Sequence, residues 1–528
     1  MQKTLFQRIL QSLIKRFMAK KKVKAFGTLR SIFWPVHRSE LKKVLSMLLL
    51  LFLICVSYSV LRNLKDAVIL TAKHSGAEVI PFIKVWGIFP AAVGATWLYT
   101  RLNRYFNKSA VFYITISSFL AYFLVFAFVL YPNSEKLHLH TLGNWLSTVL
   151  PEGFQGLIAL IRNWIFTSFY IVSELWATLL LAVIYWGFVN DVTCVGEAKR
   201  TYGILNIGSN IAPILGGSLA LIFSKPFAFS FLPTKENPWS QTIYQLILLI
   251  VALGIACMGI YAWINRYVLT DKERNEPCLI KQEIKEQLSI RESVKYILCS
   301  RYLVPLAIIV LGYNISINLT DVLWKSQLAT LFSDPNVMLE HMNKITVGIG
   351  ILATCGALFF SVLITRLGWT FTAVITPMIM TLTAVGFFTF MFCADSLAAF
   401  SAAVFGLAPF AMAVYCGSLQ NCLSKACKYS VFDASKEVAF LPLNSESKLK
   451  GKAAIDGLGS SLGKSGSSLV YQVFIILMGS VALSAPFVAG ILFLILVAWI
   501  PSAFYLGKQF KQMTAVDEPI NMQGLPEL

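Results

Sequence analysis

Tyr58-Ser-Val-Leu-Arg-Asn-Leu-Lys-Asp66 closes the first long apolar run of the chain and places three charged side chains, Arg62, Lys65 and Asp66, at its end. One Lys, Arg or Asp at the centre of a membrane-crossing helix costs about 2.5–3.5 kcal/mol, so retained charge there points to function. A second copy of the pattern lies 255 residues on. Tyr313-Asn-Ile-Ser-Ile-Asn-Leu-Thr-Asp321 also ends an apolar run, aligning Asn63-Leu64 with Asn318-Leu319 and Asp66 with Asp321. The two runs are the first and seventh apolar runs of the chain, so the match predicts two homologous halves.

Composition agrees with a chain built for lipid. Of 528 residues, 57% are hydrophobic and only 13% charged, and mean hydropathy is +0.68. That is too little polar surface to cover a soluble molecule of this size. The net charge of +19 sits mostly in the N-terminal segment and in alternate loops, which speaks for membrane orientation and against a nucleic-acid-binding face. The ten cysteines are scattered without a CxxC pair and read as reduced and structural, with no metal site. His138 and His140 form an HxH in a loop, read as a solvated loop in preference to a metal site.

Runs long enough to cross a bilayer, about 20 residues each, fall near 43–62, 80–100, 109–131, 164–190, 202–224 and 241–265, then near 302–323, 345–365, 370–392, 397–420, 456–482 and 484–506. The expectation is an all-α integral membrane protein with about twelve helices in two pseudo-symmetric halves. Its parts are a basic amphipathic N-terminal segment (1–42), a six-helix bundle (43–265), a charged cytoplasmic linker (266–301), a second six-helix bundle (302–507) and a polar tail (508–528). Lys and Arg recur in the loops that share a side with the basic N-terminus, Lys425 and Lys428 counted among them, which puts both termini in the cytoplasm. Two six-helix halves joined by such a linker is the arrangement of major-facilitator-type transporters, whose substrate site lies near the midplane between halves.

The candidates for that site are Lys65, Asp66, Glu174, Asp321, Lys325 and Lys464. Glu174 is surrounded by apolar residues and must face a partner or a wet cavity. Its plain alternative is a structural ion pair with Lys65 or Lys464. The Lys464 segment, Leu462-Gly-Lys-Ser-Gly466, imitates a phosphate-binding loop but fails its template, since Leu458 stands where the first glycine belongs and no strand precedes it. Its small residues permit close helix approach. A shift of about 254 residues lays Asn210 near Lys464.

The chain resembles the ATP/ADP translocase family, the nucleotide transporters of plastids and obligate intracellular bacteria, from about residue 28 to residue 508. The resemblance rests on Leu61-Arg-Asn-Leu-Lys-Asp66, Gly76-Ala-Glu-Val-Ile-Pro-Phe-Ile-Lys84, Ser173-Glu-Leu-Trp176, Trp186-Gly-Phe-Val-Asn190, Glu197-Ala-Lys-Arg200, Ile317-Asn-Leu-Thr-Asp-Val-Leu-Trp-Lys-Ser326, Lys428-Tyr-Ser-Val-Phe-Asp433, Lys450-Gly-Lys-Ala-Ala and Leu462-Gly-Lys-Ser-Gly466. It implies transport roles for Lys65, Glu174, Asp321 and Lys464. Two departures stand out: Asp321 occupies a position that is usually Glu in the exchangers, and Arg62-Asn-Leu-Lys-Asp66 replaces a common Arg-Asp-Thr-Lys-Asp.

The resemblance implies a secondary transporter of nucleoside phosphates in a bacterial inner membrane, acting as a monomer with no cofactor, metal or catalytic residue. On that reading Lys65 and Lys464, with Arg62 or Lys325, neutralise the polyphosphate, and Asn210 donates an amide. Tyr58, Trp176 or Tyr313 stacks on the base, and Glu174 and Asp321 hold the lysines when the carrier is empty. Two couplings stay open: exchange of ATP for ADP, and proton-coupled net import of ATP, GTP, CTP and UTP. A membrane phosphotransferase or ATPase is disfavoured by the missing phosphate-binding loop and the lack of a His-containing catalytic cluster. A purely structural scaffold would not need acids and bases at matching depths in the two halves.

Overall fold

Thirty residues, Leu41–Leu70, form the first helix, α1. At 1.5 Å per residue it is about 45 Å long, more than the roughly 30 Å of a bilayer's hydrocarbon. Arg62, Lys65 and Asp66 therefore sit inside the helix and not in a loop after it. The computed structural model describes residues 36–38, 40–225, 238–270 and 290–516. Residues 1–35 of the expected amphipathic segment, 271–289 of the linker and 517–528 of the tail lie outside the described residues.

After α1 come α2 (Val79–Tyr105), α3 (Lys108–Leu130), α4 (Trp164–Val192), α5 (Val195–Phe223), α6 (Pro238–Val268) and α7 (Leu303–Leu331). The next helix is hydrogen-bonded from Pro335 to Phe392, but Gly368 turns the chain within it, with φ 77° and ψ 167°. Only glycine takes that conformation without strain, so the segment is two spans, α8 (335–367) and α9 (369–392). Pro335 starts it at the first helical position, and the Asp334 side chain accepts from the Asn336 N–H at 2.8 Å. A short helix, Ala398–Phe405, meets α10 (Pro409–Ala439) at a bend of 68°. α11 (445–478), apolar only over Ser467–Met478, and α12 (Val481–Val516) follow. With α8 and α9 counted as one, nine helices among the described residues are long and apolar enough to cross a membrane, ten with the bent pair. The described residues contain no strand, and the architecture is the major-facilitator-like one.

Two helices organise the packing. In α1 and α7, 67% of the apolar window is buried, against at most 41% in the other unbroken apolar helices. α1 packs on α4, α5 and α6, and α7 on α10, α11 and α12. The halves meet where α5 crosses α8 and where Val79–Phe82 of α2 meets Ser467–Met478 of α11. Close approach at the first crossing depends on lost side chains: a Cβ on Gly217 would stand 3.0 Å from the Asn343 carbonyl oxygen, and one on Gly350 would stand 2.9 Å from the Ile214 backbone nitrogen.

The bonds between halves gather at the Leu70 end of α1. Gln472 donates to the Pro81 carbonyl at 2.8 Å, Thr242 to Asn336 Oδ1 at 2.7 Å, and Asn63 to Asn343 Oδ1 and Thr346 Oγ1 at 2.7 and 2.8 Å. At the Leu41 end the described ion pairs stay within one half, as in Lys43–Glu197, Arg200–Glu40 and Lys436–Asp456. Among the described residues one cysteine departs from the sequence reading. Cys194 is disulfide-bonded; it caps α5 from an exposed loop position and does not lie in an apolar run.

Candidate functional site

A cavity of about 490 Å³ lies between the halves, lined from α1, α2, α4, α7, α8, α10 and α11. That volume falls within the range of small-molecule sites. A larger groove, of about 640 Å³, runs outside the bundle between 298–308 and 501–505, where Arg301 is its one charged residue. The charge lies in the central cavity. Arg62, Lys65, Lys84, Lys325, Lys425 and Lys428 line it against Asp66, Glu174 and Asp321.

Six of these side chains form a row of alternating sign. Glu174 of α4 is 3.0 Å from Lys65 of α1, which is 2.9 Å from Asp66. Asp66 is 2.8 Å from Lys325 of α7, Lys325 is 2.7 Å from Asp321, and Asp321 is 3.2 Å from Lys425 of α10. Lys65, Asp66, Asp321 and Lys325 are buried. In such surroundings each charge requires its neighbours, because removing one strands another in low dielectric. Tyr170 lies under Lys65, 3.6 Å from nitrogen to ring centroid, and Asn421 donates to Asp321 at 2.8 Å.

The row follows the internal repeat. The 255-residue offset that pairs Asp66 with Asp321 also carries Tyr170 to Lys425 and Glu174 to Tyr429, and all six positions line the cavity. The backbone departs from regular α-helix near several of these residues. π-helical turns follow Glu174 at Trp176–Tyr185 and occupy Lys428–Phe432, and further π turns hold Lys84 at Ile83–Ile88 and Lys464 at Leu462–Gly466. Single π turns inside α-helices often mark functional segments, because the extra residue re-aims the side chains beyond it.

Of the expected site residues, Arg62, Lys65, Glu174, Asp321 and Lys325 come together on the cavity wall. Arg62 donates to Thr346 at 3.3 Å. Asn210 is not among the lining residues: its amide donates to the Tyr429 carbonyl at 3.3 Å, bridging α5 to α10. The Lys464 side chain lies outside the described residues; its neighbour Ser465 lines the cavity. Among the expected aromatics, Tyr58 faces the cavity and donates to Glu174 at 3.4 Å. Trp176 does not face it. It is fully buried against Phe119 and Phe123, with its indole N–H on the Ile54 carbonyl. Tyr313 lines the cavity, but its ring packs on Phe432 and Trp499.

The sequence profile described as TLC ATP/ADP transporter matches residues 19–510. The chain is 41% identical over 497 residues to "ADP,ATP carrier protein 1" of Chlamydia trachomatis serovar D, covering 94% of each protein. The chain belongs to the TLC ATP/ADP transporter family. A plastid relative, "ADP,ATP carrier protein 1, chloroplastic" of Arabidopsis thaliana, is 38% identical over 484 residues, with 92% of this chain and 76% of that protein covered. Among solved structures, a D-xylose-proton symporter shares the fold with a TM-score of 0.51 at 12% identity, covering 90% of this chain and 97% of that one.

In this TLC transporter the sequence reading missed Lys84, Asn421, Lys425, Lys428 and Tyr429. It ended the tenth span near 420 and counted Lys425 and Lys428 as loop charges, whereas α10 runs on to Ala439. Asn421, Lys425, Lys428 and Tyr429 recur at spacings of three and four, which lays them on one helix face. That periodicity was the available signal.

Proposed function

We propose that this chain exchanges nucleotides across a membrane by alternating access, importing ATP against ADP. One observation carries the reading: among its described residues the cavity between the halves has six cationic side chains and three carboxylates. A formal excess of three positive charges in a cavity this size requires an anionic occupant of several charges, and an adenine nucleotide polyphosphate supplies it. The relatives named as ADP,ATP carriers support the same cargo.

Exchange is favoured over proton-coupled import because each cavity carboxylate already has a lysine within 3.0 Å. Loading a proton on such a carboxylate would strand its lysine partner in a low-dielectric site. The row of ion pairs balances its own six charges, and the cargo compensates the cations outside it before the halves rock past one another.

The bundles at 43–265 and 302–507 are the moving bodies, and the protein works as a monomer. The basic loops put both termini and the 266–301 linker in the cytoplasm of a bacterial inner membrane. With contacts between halves gathered at the Leu70 end, this conformer is read as closed to the outside. Lys464 joins the site as a further phosphate ligand.

Proteoliposomes test this directly. Uptake of labelled ATP, GTP, CTP and UTP is measured with and without internal ADP and with a protonophore. Stimulation by internal ADP that survives the protonophore is expected, and collapse of uptake under the protonophore overturns exchange.

A further inference from the structure

The cavity holds two kinds of cation. Lys65 and Lys325 each touch two carboxylates, at 2.9 and 3.0 Å and at 2.8 and 2.7 Å. Arg62, Lys84 and Lys428 make no ion pair among the described residues, and Lys84 is held by the Asn318 side-chain oxygen at 2.9 Å. Arg62 has a hydroxyl contact with Thr346 at 3.3 Å, and Lys428 lies over the rings of Tyr313 and Tyr429, 5.7 and 5.6 Å from their centroids. Lys425 is intermediate, because the Asp321 oxygen it approaches at 3.2 Å is also held by Asn421 at 2.8 Å.

We propose that Arg62, Lys425 and Lys428, grouped around Tyr429, form the subsite for the terminal phosphates of a nucleoside di- or triphosphate, while Lys65 and Lys325 stay locked in the ion-pair row. The proposal rests on the transport reading and deepens it. Arg62, Lys425, Lys428 and Tyr429 line the same cavity, with Lys428 5.6 Å from the Tyr429 ring centroid, and Lys425 and Tyr429 lie four residues apart on one face of α10. They come from α1 and α10, one helix of each half, so a bound phosphate ties the halves together.

The chemistry suits that ligand. A guanidinium presents paired N–H donors to two phosphate oxygens, and ammonium groups add compact charge. Lys428 and Arg62 have no carboxylate at ion-pair distance among the described residues, and an anionic cargo gives each a direct partner. Displacing a paired lysine from its carboxylates would instead break two contacts for each one formed. This division also separates the phosphate number, read by the free cations, from the gating performed by the paired ones.

The test uses the full-length protein in nanodiscs and competition against labelled ATP by ATP, ADP, AMP and inorganic pyrophosphate. Arg62→Gln and Lys428→Gln are each expected to weaken ATP, ADP and pyrophosphate about tenfold or more, the value of a lost charge-assisted hydrogen bond. AMP is expected to change little, so the preference for ATP over AMP collapses. Lys428→Arg is expected to restore most of it, which a variant that merely misfolds cannot imitate. ATP affinity unchanged in both Gln variants, or equal losses for ATP and AMP, overturns the subsite. Wild-type protein that binds none of the nucleotides overturns the transport reading itself, and direct binding of labelled pyrophosphate, compared between wild type and the two Gln variants, then still reports on the three cations.

Discussion

Lys325 Nζ stands 2.8 Å from Asp66 Oδ2, and this bond joins α7 to α1 across the boundary between the two halves. It is the central link of the row from Glu174 to Lys425, and every other link lies within one half. Separation of the halves at the Leu70 end must break it. The row then falls into two shorter pieces, Glu174–Lys65–Asp66 and Lys325–Asp321–Lys425, each still partly compensated. A bond of this kind sets how readily the empty carrier opens.

Asp66→Asn and Lys325→Gln therefore each lower the thermal stability of the purified protein, because each leaves a buried charge without its partner, a change worth about 3–5 kcal/mol in buried pairs. The double variant loses less than the sum. A coupling of about 1–3 kcal/mol is expected from the four-member cycle, read as thermal midpoints with exchange rates beside them. Additive losses would show that the two side chains do not act as a pair.

Asp321 uses both carboxylate oxygens, one for Asn421 and Lys425 and the other for Lys325. Asp321→Glu inserts one methylene into a buried, filled position, which costs about 1–3 kcal/mol by overpacking, but it keeps the charge. Exchange should fall several-fold with ATP binding retained. Asp321→Asn removes the charge that Lys325 and Lys425 share and should fall further. Equal exchange by wild type and Asp321→Asn in the same proteoliposomes would remove Asp321 from the cycle.

Much of this was legible in the sequence, and the gaps have physical causes. The apolar runs located the helices, and the Asn-Leu repeat paired Asp66 with Asp321, because both signals are local along the chain. Helix ends were harder. A hydropathy window stops at the first charges, whereas α7 and α10 continue through Lys325, Lys425 and Lys428, whose charges face a cavity and not lipid. Trp176 was misplaced for a different reason: an aromatic beside Glu174 looks like part of the site, but the helix turns it into the core. The π turns left no mark in the residue pattern, since an extra residue in one turn shows only in hydrogen bonding.

Outside the spans, His138 gives the protein a pH dependence of its own. Its ring lies edge-on to Phe166, with centroids 4.6 Å apart, and burial, helped by His140, brings its pKa down to about 4. An unfolded histidine titrates near 6.5, so the unfolded state binds the proton more readily. Stability from this residue is complete above about pH 6.5 and is lost progressively as the pH falls toward 4. His138→Leu should flatten the fall of the thermal midpoint between pH 6.5 and 4.5 relative to wild type. Parallel curves for the two proteins would show that the loop does not depend on neutral His138.

The α5–α8 crossing offers a way to open the carrier without touching a charge. A Cβ on Gly350 meets the Ile214 side chain at 2.6 Å and its backbone nitrogen at 2.9 Å; one on Gly217 meets Val347 at 2.7 Å and the Asn343 carbonyl at 3.0 Å. Side chains can rotate away, but backbone atoms cannot, so Gly217→Ala and Gly350→Ala must push α5 from α8. With about 1–3 kcal/mol of overpacking confined to the closed conformer, and a factor of ten for each 1.4 kcal/mol, the outward-open population should rise roughly five- to hundredfold. Spin labels at the exposed positions Lys225 and Ser333, introduced after the exposed Cys299, Cys355 and Cys393 are replaced, report the separation at that end. The distance distribution should shift to longer values in both variants, while external ATP gains affinity and internal ATP loses it. Unchanged distances with unchanged sidedness of binding would mean that this crossing yields without moving the halves, and the gate would have to be sought where α2 meets α11.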